Sequence, residues 1–434
     1  LPELDAIVLA VDPLANVRIA GLTAKERAIR VARRVGATRV LVVEQPADAN
    51  RWHTNDRPLL VIRADQLVHT PLVAPLIDAM RANGVVAAVV PEDPAVQDLT
   101  PGSFAGALIA VDAVAAAAIV AAIVSGDTAL AMADDATKIP HGKIARAPIA
   151  TAAERRAAHR LLYQILVKPQ DNAITRYLYR PVSFPLTRML VWTPITPNQI
   201  SYAVAVLVAI GCWLTAYASH GMALLGTAVV LLASYVDCCD GEVARVKLLS
   251  SRFGAWIDTI VDELSSVGYT IALGVHCHLA FGPRYFGELP FDPWLVIAVI
   301  ATAAMLVTIY CIYYNLIVAV GSANSQDYVG SFDVVPGRDA TKVRLVPTAP
   351  RAIPITRELP GWVKWLATYA PYVIRRDFIA WGTLVLAALH WTQVSFIGLA
   401  IGGVVTGVIV TIDHVRLRSL RRSLVRRGLV LEGP

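Results

Sequence analysis

Six apolar runs, near residues 199–217, 221–246, 254–281, 293–321, 374–391 and 394–415, constrain this 434-residue chain more than any other feature. Each is close to the roughly 20 residues a helix needs to cross the hydrocarbon core of a bilayer. Composition agrees: 56% of residues are hydrophobic and 17% charged, against about 25% charged in an average soluble domain. The apolar runs crowd into the second half, so only part of the chain is expected in the membrane.

The short loops give a direction. The loop near 218–220 has His220 as its only ionisable residue, 282–292 sets one Arg against Glu288 and Asp292, and 391–394 carries no charge. The opposite side holds Arg245, Lys247 and Arg252. It also holds the basic 322–373 loop and the tail 421–434, with Arg421, Arg422, Arg426 and Arg427. Six crossings keep Lys and Arg on one side, which the positive-inside rule places in the cytoplasm with both termini. The net charge of +6 therefore points to anionic lipid rather than nucleic acid. The five cysteines fall in apolar runs without zinc or disulfide spacing and are expected to be reduced. The N-terminus has no basic stretch before its short apolar run, so no signal peptide is expected.

Residues 1–150 alternate strand-like and helix-like segments. Ala6–Val11, Arg39–Val43, Leu59–Arg63, Val85–Val90 and Ala107–Val111 read as strands; Lys25–Val35 and Leu72–Asn83 read as helices, and an Ala-rich helix follows the last strand. This pattern predicts a cytosolic, Rossmann-like α/β domain with a parallel, doubly wound sheet. Residues 151–195 are basic, amphipathic and broken by prolines, as expected of juxtamembrane helices at the interface. The fold class is thus a six-helix polytopic membrane domain, 196–420, with an N-terminal soluble α/β domain.

Chemistry concentrates where the second and third runs meet. Asp237 and Asp240 are three apart and Ala244 follows on the same helical face; Gly254, Asp258 and Asp262 are spaced by four. Eight residues separate Arg245 from Gly254, short enough to bring both faces together. Four carboxylates at the edge of a membrane need counter-charge. Hard divalent cations such as Mg2+, Mn2+ or Ca2+ supply it, as one ion or two. Gly241, Ala244 and Gly254 leave space for a ligand, and Arg245 suits a phosphate. A cation transporter built on the Asp cluster is the reading from another class, but it explains neither Gly254 nor Arg245.

The pattern D-x2-D-G-x2-A-R-x8-G-x3-D-x3-D, filled at all eight fixed positions by Asp237 to Asp262, resembles the signature of the CDP-alcohol phosphotransferase (phosphatidyltransferase) family. Thr196-Pro197-Asn198 resembles that family's entry to its first span. The resemblance implies a metal-dependent enzyme that transfers a substituted phosphate from a CDP-alcohol to an alcohol and releases CMP. Asp237, Asp240 and Asp258 would ligate metal, and Asp262 would complete the cluster and act as general base. Asp237, Gly241, Ala244, Arg245, Gly254 and Asn198 would hold the cytidine diphosphate. It also implies a homodimer in the cytoplasmic membrane, in contact with lipid.

The fused α/β domain resembles a nucleotidyltransferase, as in the bifunctional di-myo-inositol phosphate phosphate synthases of that family. This implies CDP-inositol as donor and an inositol phosphate as acceptor; a phospholipid synthase using CDP-diacylglycerol is the alternative. One departure stands out. The loop after the first strand, Val11-Asp12-Pro13-Leu14-Ala15-Asn16-Val17-Arg18, lacks the glycines that would cradle CTP phosphates. The domain is therefore expected to be an inactive scaffold or dimerisation element. Asp65, after the third strand, sits where such folds place a metal aspartate, but reads as a strand-end residue or helix cap. Lys168, Arg375 and Arg376 are candidates for an anionic acceptor, with membrane-anchoring side chains as the simpler role.

Overall fold

The computed structural model describes residues 3–53, 56–80, 84–92, 99–128, 130, 135–167, 173–322, 327–337, 342–348, 361 and 375–432. Two compact units emerge. The first comprises residues 1–171 with 184–195 and 241–249; the second comprises 172–183, 196–240 and 250–434.

In the first unit, the continuous apolar segments become buried strands. They are β1 (Leu4–Leu9), β2 (Ala37–Val43), β3 (Leu59–Arg63), β4 (Val85–Val89), β5 (Phe104–Ala110) and β6 (Thr137–Pro140), in the order β2-β1-β3-β5-β4-β6. Alternate side chains feed two cores. Leu4, Ala6, Val8, Leu60 and Ile62 face α1 (Ala24–Arg34) and α2 (Thr70–Asp78), while Ile7, Leu9, Leu59 and Val61 meet Ile119 and Ile123 of α3 (Ala113–Val124). Burial on both faces explains why the strands read as unbroken hydrophobic runs. The expectation of a parallel sheet is corrected at β5, which runs antiparallel to both β3 and β4. A strand buried on both faces has the same apolar signature in either direction.

Local chemistry sets the helix starts. Thr23 opens α1 with a capping box: its Oγ1 accepts from Glu26 N at 3.1 Å, and Glu26 Oε2 accepts from Thr23 N at 2.9 Å. Thr151 begins α4 (Ala152–Tyr163) in the same way. The helix expected over 72–83 is described from Thr70 to Asp78; residues 81–83 lie outside the described residues.

The second unit is helical. Its long elements are α6 (Pro197–Thr215), α7 (His220–Val246, whose last turns belong to the first unit), α8 (Arg252–Phe281), α9 (Pro293–Asn315, extended by a π-turn to Val320) and α11 (Thr392–Arg426). These five are long and apolar enough to cross a membrane. The sixth expected span is represented by α10, Arg376–Ala388, too short by itself; its expected start at 374 lies outside the described residues. A short helix α5 (Arg180–Leu190) precedes α6. Small residues permit close crossings: a Cβ on Gly226 of α7 would stand 2.4 Å from Thr215 N and 2.6 Å from Gly211 O of α6. Large apolar side chains such as Trp213, Ile401, Val405 and Ile412 stay exposed, as they must where lipid replaces water. A small sheet of β7 (Phe332–Pro336), β8 (Lys342–Pro347) and β9 (Val430–Leu431) completes the unit. Toward the other end of the spans, His276 bonds Tyr217 O at 2.6 Å and Thr392 Oγ1 at 3.0 Å, a packing role.

Candidate active site

Asp237 and Asp240 stand one turn apart on α7, and Asp258 stands on α8. One carboxylate oxygen from each lies within 4.8 Å of the others. At an effective dielectric of about 20, each such like-charged pair costs roughly 3 kcal/mol. Three carboxylates offering hard oxygen donors at this spacing fit a divalent cation. Asp240 is buried, and its Oδ2 accepts a hydrogen bond from Ser201 Oγ at 2.7 Å. That bond fixes the orientation of the Asp240 carboxylate.

Asp262, one turn beyond Asp258 on α8, lies outside this set of three. It pairs instead with Arg376 at the start of α10: Arg376 Nη2 donates to Asp262 Oδ1 at 2.7 Å, and Nη1 meets Oδ2 in a bidentate pair. Arg376 is thus engaged by a carboxylate of α8. Asp377 accepts from Thr175 Oγ1 at 2.7 Å, with Arg375 Nε 3.6 Å from its other oxygen. Lys168 lies outside the described residues.

The entry to α6 is built by a capping box at Thr196, with Pro197 in the first turn. This sets Asn198 against α8: a Cβ at Gly254 would stand 2.9 Å from Asn198 Oδ1 and 3.1 Å from Ser251 Oγ. Ser251 is the α8 N-cap, its Oγ accepting from Gly254 N at 2.9 Å. A side chain at position 254 would therefore have to displace Asn198 or Ser251. Gly241, Ala244 and Arg245 occupy the last turns of α7.

Three features escape a reading by motif. Ser201 lies three residues after Asn198, on the same helical face, and that spacing was its only signal. Tyr313 of α9 donates to Glu263 at 3.2 Å, next to Asp262. A cavity of about 490 Å3 is lined by Tyr314, Arg418, Arg421, Arg422, Val425 and Arg426. Arg418 bonds Tyr310 at 2.9 Å, and Arg421 donates to Tyr314. Among the described residues, no carboxylate pairs with these four arginines. Their i, i+3, i+4 and i+8 spacing marks one helix face, but in the sequence they belong to a basic cytoplasmic tail.

Residues 194–389 match the family described as CDP-alcohol phosphatidyltransferase. They form a CDP-alcohol phosphatidyltransferase domain. All eight fixed signature positions lie inside the match. Among curated proteins, the chain is similar to a "Bifunctional IPC transferase and DIPP synthase" of Rubrobacter xylanophilus, 36% identical over 117 residues, 26% of each chain. A protein of the same description from Aquifex aeolicus is 32% identical over 128 residues, 30% of this chain and 27% of that one. The "CDP-diacylglycerol--inositol 3-phosphatidyltransferase" of Drosophila melanogaster is 34% identical over 91 residues, 20% of this chain and 36% of that one. The matched segments thus span about a quarter of the length of the first two relatives. Within the CDP-alcohol phosphatidyltransferase domain, the geometry separates the four signature aspartates into a cluster of three and one ion-paired residue.

Proposed function

We propose that the chain transfers a substituted phosphate from a CDP-alcohol to an acceptor alcohol and releases CMP. The observation that carries this reading is the convergence of Asp237, Asp240 and Asp258 within 4.8 Å inside the matched domain. A divalent cation, Mg2+ or Mn2+, held by these three would neutralise charge on the donor diphosphate; Ca2+ has the same donor preference, and a second ion would draw on Asp262. Asp237, Gly241, Ala244, Arg245, Gly254 and Asn198 hold the cytidine diphosphate. Asp262 accepts the proton of the acceptor hydroxyl, whose oxygen then attacks the β-phosphorus while CMP departs.

The acceptor is proposed to be anionic, of the inositol phosphate type. Arg376 stands beside the base, and four arginines of α11 that meet no carboxylate among the described residues line a cavity next to Tyr314, whose neighbour Tyr313 bonds Glu263. Two relatives bear names of bifunctional synthases, which supports CDP-inositol as donor. The Drosophila relative's name supports the second reading, CDP-diacylglycerol as donor. CMP release from CDP-inositol and from CDP-diacylglycerol, each with inositol phosphate, separates the two. Faster turnover of the lipid donor would overturn the first. Family membership of the domain favours transfer over ion transport.

The Lys and Arg distribution supports a cytoplasmic site with both termini inside, and the resemblance supports a homodimer in contact with lipid. The α/β domain is proposed to lack cytidylyltransferase activity. Its first loop uses its own donors: Asp12 Oδ1 accepts from Leu14 N at 2.8 Å, Asp12 O from Ala15 N at 3.0 Å, and Leu14 O from Val17 N at 2.9 Å. A carboxylate stands where a phosphate cradle needs free N–H groups. Asp65 pairs with Arg63.

A further inference from the structure

Residues 241–249, which end the signature's first half and begin the connector to its second, fold as part of the same compact unit as the α/β domain. Three features make it costly to build. First, α7 closes with a Schellman motif: Leu249 N donates to Ala244 O at 2.8 Å and Leu248 N to Arg245 O at 3.3 Å. The left-handed position, normally glycine, is Leu248 at φ 55°. Its side chain is buried in the same core as Ala28 and Val31 of α1.

Second, Arg27 of α1 is fully buried. Its Nη1 donates to Val246 O at 2.9 Å, its Nη2 to Ile19 O at 3.3 Å, and its Nε has no partner among the described residues. No carboxylate pairs with it there. Its counter-charge is the negative end of the α7 dipole, where the last carbonyls have no helical donors. Burial pulls its pKa down to about 9, so it remains charged at neutral pH. An under-bonded buried arginine adds little to stability; an apolar side chain of that size would serve a core better.

Third, the neighbouring carbonyl is held as well. Arg30 Nη1 donates to Lys247 O at 2.7 Å. Lys247 Nζ in turn donates to Thr193 O at 2.6 Å and Ile195 O at 3.0 Å, on the chain leading to Asn198. Thr187 Oγ1 donates to Glu242 at 2.5 Å.

We propose that the α/β domain is a positioning element for the nucleotide: Arg27 and Arg30 fix the last turn of α7, on which Ala244 and Arg245 stand, and so set the affinity for the cytidine diphosphate group. This rests on the reading of the chain as a CDP-alcohol phosphotransferase. Strained Leu248 and buried Arg27 are then the cost of a fixed nucleotide-binding turn.

The test is binding of CDP, with Mg2+ present, to the full chain in nanodiscs. Arg30→Ala is the first variant, because Arg30 is half-buried and its loss leaves the core intact. A charge-assisted bond of this kind corresponds to about a tenfold change in affinity. Arg30→Ala is expected to raise Kd for CDP several-fold and Arg27→Met at least about tenfold, with Arg27→Lys recovering part of the loss. Mn2+ affinity is expected to stay the same. A merely structural role would lower the number of binding sites and leave Kd unchanged. An unchanged Kd in Arg30→Ala, with or without a folded Arg27 variant, overturns the proposal. Failure of the unaltered chain to bind CDP at all overturns the functional reading on which it rests.

Discussion

At Asp262 two demands meet. A general base must be ionised and must have a free oxygen toward its proton, yet the structure holds both oxygens against Arg376. The reading is consistent if Arg376 swings toward an anionic acceptor as that acceptor arrives. Asp262→Asn is then expected to lower CMP release by about a hundredfold to ten-thousandfold, while Mn2+ binding measured by electron paramagnetic resonance stays near normal. Normal turnover in that variant would remove its role as base. Ser201 makes a second prediction. It orients Asp240 from outside the ligand set, and loss of such a partner weakens metal affinity about tenfold or more. Ser201→Ala should do so in the same measurement; an unchanged affinity would show that Asp240 needs no orienting bond. The three-carboxylate cluster was legible because Asp spacing on a helix is geometry written into the sequence. The Arg376 pair was not, since it joins residues 114 apart and no local pattern encodes it. Ser201 was equally silent, because serines are common in membrane helices and only Asp240 gives this one meaning.

At the scale of elements, α2 carries a titratable device. His69 precedes Thr70 at its start, and its Nδ1 has no partner among the described residues. Burial, with Arg27 and Arg34 adding repulsion, lowers its pKa to about 4 from 6.5. It is neutral in the fold but takes a proton in the unfolded chain below pH 6.5. Its contribution is therefore complete above pH 6.5 and is lost as pH falls from 6.5 toward 4. The linkage amounts to roughly 3 kcal/mol over that window. Thermal unfolding of the full chain at pH 7.5 and 5.0 should show a drop that His69→Leu reduces; an equal drop in both would assign the sensitivity elsewhere. Elements themselves were read well where burial is periodic or continuous. Leu59–Arg63 matches its strand, and α1 differs by one residue at each end. Strand direction in the sheet was not readable, and β5 runs against expectation because apolar burial has no polarity. Arg376–Ala388 shows the limit for helices: apolar content near 374–391 promised a span, and the described helix is 13 residues long.

At the scale of the molecule, the fused architecture invites the reading that one chain makes its own CDP-alcohol. The hydrogen bonds around Asp12 argue against that. The full chain with CTP, Mg2+ and inositol 1-phosphate is expected to release little pyrophosphate, and robust release would show that the Asp12–Val17 loop opens to bind CTP. The sequence showed that two kinds of domain are joined. It gave no sign that residues 241–249 fold with the α/β domain, because that depends on Arg27 reaching Val246, 219 residues away. The central claim is metal-dependent transfer from a CDP-alcohol. Its most direct measurement is CMP release by the purified full chain from CDP-inositol and CDP-diacylglycerol with inositol phosphate as acceptor, before and after chelation and with Mg2+ or Mn2+ restored. The account predicts acceptor-dependent CMP release that chelation stops, that either metal restores, and that Asp237→Ala lacks. CMP release from neither donor, or release that persists after chelation and in Asp237→Ala, would contradict it.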